Sequence, residues 1–140
     1  MSILLWVLAF GCEAGADNQL AVFRHEWHRR RTRGEVVGFG ICATKLWSIS
    51  RHPNYVGHFF CCVAYAMYGY ASATQSWHGY MLLGLPVFAY FKLMYWSGVP
   101  MNEYLCVERR GDLYRNYVSN VAIVPSAATL ARHFFPGATK

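Results

Sequence analysis

Between Pro53 and Met101 the only Asp, Glu, Lys or Arg is Lys92, and most other positions are apolar or aromatic. A run so long and so poor in charge fits two passes through a hydrocarbon core, at ~20 residues each. The pattern predicts a helix over Tyr55–Ala71, with Pro53 near its first turn, where proline is tolerated. It predicts another over Trp77–Trp96, kinked at Pro86. The connector between them, around Ala71 to Ser76, has no charge. Ahead of this hairpin, Ile3 to Phe23 reads as a first helix. Its apolar start, Ser2–Phe10, is short for a crossing unless it continues through Gly11 to Leu20. Glu13, Asp17 and Arg24 fall along one stripe of that helix. His25–Gly34 is basic and polar, hence a surface or interfacial stretch. Val36–Ser48 is moderately apolar, with glycines nearby, and takes no assigned structure. Ser97–Pro100 is a break, Asn102–Val118 a charged amphipathic helix with a soft spot at Gly111, and Val121 onward a tail.

Composition sharpens the class. The chain has 140 residues, 55% hydrophobic, 17% aromatic and 14% charged, with a net charge of +6. Average soluble domains carry roughly 25% charged residues, so an ordinary soluble enzyme is disfavoured. A disordered chain is excluded by the aromatics. Arg24, Arg29, Arg30, Arg31, Arg33, Lys45 and Arg51 precede the uncharged run, and Arg109, Arg110, Arg115, Arg132 and Lys140 follow it. Both ends of the hairpin therefore belong on the positive side of a membrane: cytoplasm, mitochondrial matrix or plastid stroma. The apolar start lacks the positive flank of a signal peptide.

The five cysteines, Cys12, Cys42, Cys61, Cys62 and Cys106, are odd in number and two are adjacent, which favours buried free thiols. No C-x-x-C pair exists. His25 and His28 form an H-x-x-H without companions, which fits a basic surface better than a metal site.

Three groups of residues carry candidate chemistry. Ser50 to Gly57 leads into the second helix, where unpaired N–H groups and the helix dipole suit a phosphate or carboxylate. Arg51 adds a bidentate anion donor, Asn54 a cap, Tyr55 a stacking or hydrogen-bonding ring, and Gly57 room for close approach. The same residues also fit a plainer role, with Arg51 reaching lipid headgroups and Asn54 only capping. Glu13, Asp17 and Arg24 either bind a ribose or phosphate, or pair with a neighbouring helix. In the third group, Arg109, Arg110 and Arg115 either hold an anionic cofactor or lipid, or join Glu103, Glu108 and Asp112 on a solvated, ion-paired helix. Lys92 meets an acid or a polar cavity.

Taken in order, these pieces resemble a known group. Leu46-Trp47-Ser48-Ile49-Ser50-Arg51-His52-Pro53-Asn54-Tyr55-Val56-Gly57 resembles the LW-x-x-S-R-H-P-N-Y-x-G-E signature of the steroid 5α-reductase-like membrane proteins. That superfamily includes isoprenylcysteine carboxyl methyltransferase. Glu13 to Arg24 resembles its E-x-x-A-D-x-Q-L-x-x-F-(K/R) helix, Ser97 to Glu103 its SGVP-x-x-E, and Arg110 to Pro125 its closing G-x-x-Y-x-x-Y…P stretch. The resemblance runs from about Leu5 to Pro125 and covers the C-terminal half of the family's chains. It implies helices that wrap a nucleotide cofactor, NADPH in reductases and S-adenosylmethionine in methyltransferases. The residues matched to cofactor contacts are Asp17, Arg24, Arg51, His52, Asn54, Tyr55, Glu103, Tyr114 and Arg115. The SGVP match favours the reductase-like branch. No catalytic or metal-binding residue is assigned.

Two departures count against catalysis. His58 stands where the reductase signature has Glu, and a neutral imidazole does not replace a fixed carboxylate. Family reductases are also longer, with N-terminal helices that supply the proton donor and much of the substrate pocket. The expectation is that nothing corresponding precedes Met1, and half a cavity cannot align hydride donor and substrate.

The expectation is therefore an all-α, small polytopic membrane protein with about three transmembrane helices plus an amphipathic C-terminal helix. Residues 1–126 form a truncated 5α-reductase-like domain and residues 127–140 a tail. Its expected function is that of a non-catalytic accessory subunit of a larger membrane complex, such as a respiratory or ATP synthase assembly of the mitochondrial inner membrane. Its basic face would meet anionic lipid such as cardiolipin, with no nucleic-acid partner. The alternatives are an NADPH-dependent reductase of a lipid or steroid-like double bond and, third, a methyltransferase.

Overall fold

The computed structural model describes residues 1–38, 40–73 and 77–125, and these are helical with no strand among them. Seven α-helices follow in order: α1 Ser2–Thr32, α2 Leu46–Ile49, α3 Pro53–Ser72, α4 Trp77–Leu82, α5 Gly84–Phe91, α6 Val99–Arg110 and α7 Asp112–Asn120. A π-helical turn, Lys92–Trp96, connects α5 to the bend before α6. The chain divides into two compact units. The first comprises Met1–Ala14 and Asn54–Tyr104; the second comprises Gly15–Pro53 and the chain from Leu105 onward.

Helix α1 is longer than the hydrophobic pattern predicts. It continues through the basic segment to Thr32, because no proline or glycine interrupts residues 16–32. Arg29, Arg30 and Arg31 occupy its last turn, where cations complement the helix dipole. Glu26 and Arg29 add an i,i+3 pair at 2.8 Å.

The expected second helix stands as α3, begun by Pro53. Asn54 is thus its second residue rather than the capping residue before it. The expected third helix is divided. Pro86 can neither donate to the carbonyl of Leu82 nor tolerate it four residues behind, and α4 ends at Leu82. The break therefore falls a turn ahead of the proline, which sits in the first turn of α5. Pro100 likewise lies inside the first turn of α6, and the bend is confined to Ser97 and Gly98. The single amphipathic helix expected over 102–118 is two helices, split at Gly111.

Residues 121–125 are not a loose tail. Ala122 accepts a backbone hydrogen bond from Arg51 at 2.9 Å, and Ile123 accepts one from the Ser50 hydroxyl. The expected tail at 127–140 lies outside the described residues.

Among the described residues one helical stretch, Trp77–Arg110, is long and apolar enough to cross a membrane, not three. Only 17% of its most apolar window is buried within the protein. Helix α1 is too polar along its length, because Glu13 and Asp17 follow its apolar start. In α3, His58, glycines and several tyrosines dilute the hydropathy.

Within the first unit, α1 and α3 meet at Gly57. A methyl group there would lie 2.7 Å from the Glu13 nitrogen and 2.8 Å from the Ala9 oxygen. Only glycine allows so close a backbone approach. Gly57→Ala should therefore force the helices apart and cost about 1–3 kcal/mol, read as an earlier thermal transition in detergent. Gly11→Ala, where nothing lies within 4 Å, should be neutral or stabilising.

Candidate functional site

The first part of the signature, Leu46–Pro53, belongs to the second unit. Trp47 on α2 is buried, and its indole N–H donates to the Ala16 carbonyl on α1 at 3.0 Å. The Leu46 backbone N–H donates to the Gln19 side-chain oxygen at 3.2 Å. From the other side, the Tyr117 hydroxyl on α7 donates to the Trp47 carbonyl at 2.5 Å. Beyond α2, Ser50, Arg51 and His52 are 1%, 8% and 6% exposed. The chain there belongs to neither helix nor sheet, so its polar groups need other partners. Ser50 supplies part of the answer: its hydroxyl donates to Ile123 and accepts from the His52 N–H at 3.2 Å. The Arg51 guanidinium donates to the Val118 carbonyl in the last turn of α7 at 3.3 Å. A cation there satisfies an orphan carbonyl and the negative end of the helix dipole. Ser50 and Arg51 together clasp the end of α7 and the strand of chain after it.

The other expected cofactor residues separate into groups. Tyr114 is buried on α7, its ring 5.8 Å from that of Tyr117. Arg115 is exposed and pairs with Asp112 at 2.7 Å. Asp17 is exposed on α1. In the first unit, the Tyr55 hydroxyl accepts from the Asn102 side chain at 2.5 Å, beside Glu103 on α6. Asn54 lies one residue before Tyr55 at the start of α3. His58, at the departure from the reductase signature, faces Glu13 at 3.2 Å, so Glu13 is engaged within its own unit.

Arg24 lines a cleft of about 620 Å³ in the second unit, with His28 and Arg31 of α1 and Arg109 and Arg110 of α6. Trp27 forms part of its wall and is held from two sides. Its N–H donates to the Gly38 carbonyl at 2.7 Å, and Gly40, at φ 65°, packs against its ring so closely that a Cβ would stand 3.0 Å away. The Arg31 guanidinium lies 5.2 Å from the ring centroid. His28 and Arg31, read from the sequence as plain basic surface, belong to this group. The signal available was their spacing: Arg24, His28 and Arg31, at intervals of four and three, share a helix face with Trp27 beside them. Among the described residues no group of three or more His, Cys, Asp or Glu is placed to hold a metal ion.

The clasp predicts that Arg51→Ala lowers stability by about 2 kcal/mol, the scale of a hydrogen bond to a charged donor. Hydrogen exchange should accelerate at Val121–Ile123. Arg115→Ala, which breaks an exposed pair, should change stability by less than about 1 kcal/mol. At the rim of the basic segment, the Arg29 guanidinium beside Glu26 holds its carboxyl below the ordinary 4.5. Because the folded value is depressed, the pair's contribution is present above the ordinary value and fades as pH falls through the lowered one. A carbon-detected NMR titration should find Glu26 titrating low, and Arg29→Gln should return it to the ordinary range.

No curated protein and no solved structure matches the chain. A family model described as "Protein of unknown function (DUF1295)" matches residues 1–121. That range includes α1, the clasp segment, the Trp77–Arg110 stretch and α7. The chain belongs to the DUF1295 family, which is in the steroid 5α-reductase-like group.

Proposed function

We propose that the chain is a non-catalytic accessory subunit of a larger membrane complex, built on a 5α-reductase-like body. The observation that carries this reading is the clasp. Ser50 and Arg51, within the most recognisable part of the family signature, are buried and bonded to main-chain carbonyls of Val118 and Ile123. A guanidinium held this way acts as a positioning group for α7. The His58 departure supports the same reading, since its imidazole faces Glu13 and offers no fixed carboxylate to a nucleotide.

Membrane placement completes the proposal. Helix α3 has 20 residues, a length of about 30 Å that matches a hydrocarbon core. With the apolar start of α1 and the Trp77–Arg110 stretch it makes three crossings. Ile3, Leu4, Leu8, Tyr65, Tyr68, Phe88 and Phe91 are all exposed, and apolar surface on this scale calls for lipid or a partner subunit. The basic segments face the matrix or cytoplasmic side. The mitochondrial inner membrane, with a respiratory or ATP synthase assembly as partner, is the setting we assign.

A second reading is favoured by one contact. The Tyr55–Asn102 hydrogen bond joins two signature segments within the first unit and brings Tyr55 and the segment of Glu103, both expected cofactor contacts, together. Extraction in mild detergent separates the readings. The accessory role predicts that the 16.0 kDa chain migrates within a much larger particle and does not oxidise NADPH with enone lipids. A monomer that turns over such a substrate, or transfers a methyl group from labelled S-adenosylmethionine, would overturn it.

A further inference from the structure

We propose that the cleft between the C-terminal half of α1 and the end of α6 holds the phosphate-bearing headgroup of an anionic phospholipid. Four guanidinium groups, those of Arg24, Arg31, Arg109 and Arg110, line this one cleft with His28. Two carboxylates on the α1 side are committed elsewhere: Glu26 pairs with Arg29 at 2.8 Å and Glu35 with Arg30 at 2.6 Å, which leaves Glu108, next to Arg109 in the chain, as a single acid against four guanidinium groups. Among the described residues no ion pair engages Arg24, Arg31 or Arg109. Like charges gathered around one concavity repel, and an anion inside it removes that cost.

The shape suits phosphate in particular. A guanidinium over an aromatic face keeps its planar fork available for bidentate bonding to phosphate oxygens, and Arg31 lies over Trp27 in this way. Trp27 is fixed by its bond to Gly38, so the cleft wall is preorganised. The position favours a lipid as the carrier. Arg109 and Arg110 are the last residues of the membrane-length stretch Trp77–Arg110. They close α6, a charged helix that follows the apolar run ending near Met101, and an amphipathic Trp beside arginines on such a helix suits the headgroup layer. The choice of lipid rests on the membrane reading above, whereas the anion site itself does not.

The test uses the full chain in neutral detergent micelles doped with phosphatidic acid or phosphatidylcholine, with retained lipid counted by native mass spectrometry. The wild type should retain phosphatidic acid in preference to phosphatidylcholine. Arg31→Gln and Arg109→Gln should each weaken retention about five-fold, and the pair by roughly their product, the scale expected of single cations near an anionic surface. Arg33→Gln, which removes the same charge from outside the cleft and releases no paired carboxylate, should leave retention unchanged. All three arginines are exposed, and unchanged circular dichroism would confirm that the variants fold. Equal losses in all three variants would reduce the effect to net charge and overturn the site. Retention unaffected by Arg31→Gln and Arg109→Gln would do the same. Inorganic pyrophosphate binding to lipid-stripped protein, with no preference between the two lipids, would overturn the lipid as the source. Carbonate extraction tests the membrane reading separately, and NADPH oxidation tests the non-catalytic one.

Discussion

The second unit depends on burying a stretch of chain that has no secondary structure of its own. Ser50 to His52 connects α2 to α3 with almost no exposure, and a buried peptide group without a partner costs as much as a lost hydrogen bond. The partners come from far along the chain: Val118, Ala122 and Ile123 supply carbonyls. Trp47 extends the same logic to α1 through Ala16. Segments that are distant in sequence are therefore held together by directional bonds to main chain, more than by interdigitated apolar side chains. Among the described residues the buried apolar side chains of this unit are Ala16, Cys42, Trp47 and Tyr114, and Trp47 is itself tied to main chain on both sides.

That organisation explains what could be read from the sequence. The helical class was legible because apolar residues persist over lengths only helices use, and α3 agrees with the expected segment to within two residues. The Gly57 contact was legible as a permitted close approach, though not its partner, since nothing local names Ala9 or Glu13. The breaks were misplaced for a local reason. A proline disturbs the carbonyl four residues earlier, so Pro86 ended a helix at Leu82. The extension of α1 to Thr32 was missed because polarity was taken as a sign of surface chain. Charged residues on an exposed helix face are equally polar, and here they are stabilised by pairing and by the dipole.

Of the candidate cleft, Arg24, Arg109 and Arg110 are legible in the sequence as possible anion ligands, and their grouping with His28, Arg31 and Trp27 is not. Arg51 and His52, expected as cofactor contacts, are both buried, with the Arg51 guanidinium bonded to Val118 and the His52 N–H to Ser50. Arg115 was grouped with Arg109 and Arg110 by sequence proximity. The turn at Gly111 puts it on a different helix, where it meets Asp112. His28, Arg31 and Trp27 were visible as a helical stripe only once α1 was known to reach them.

Arginine thus serves two opposite purposes in this chain, and the solvent around each explains the difference. Arg51 has lost most of its water and binds a carbonyl whose position is fixed by α7, so the bond is made once, on folding. Arg24, Arg31 and Arg109 remain exposed. Their charge is screened over about 8–10 Å by salt, they contribute little to stability, and they can exchange one anion for another without disturbing the helices. Fixed cations specify the fold and solvated ones meet partners. In this chain Arg51, within the family signature, is of the first kind, and the arginines at the basic end of α1 are of the second.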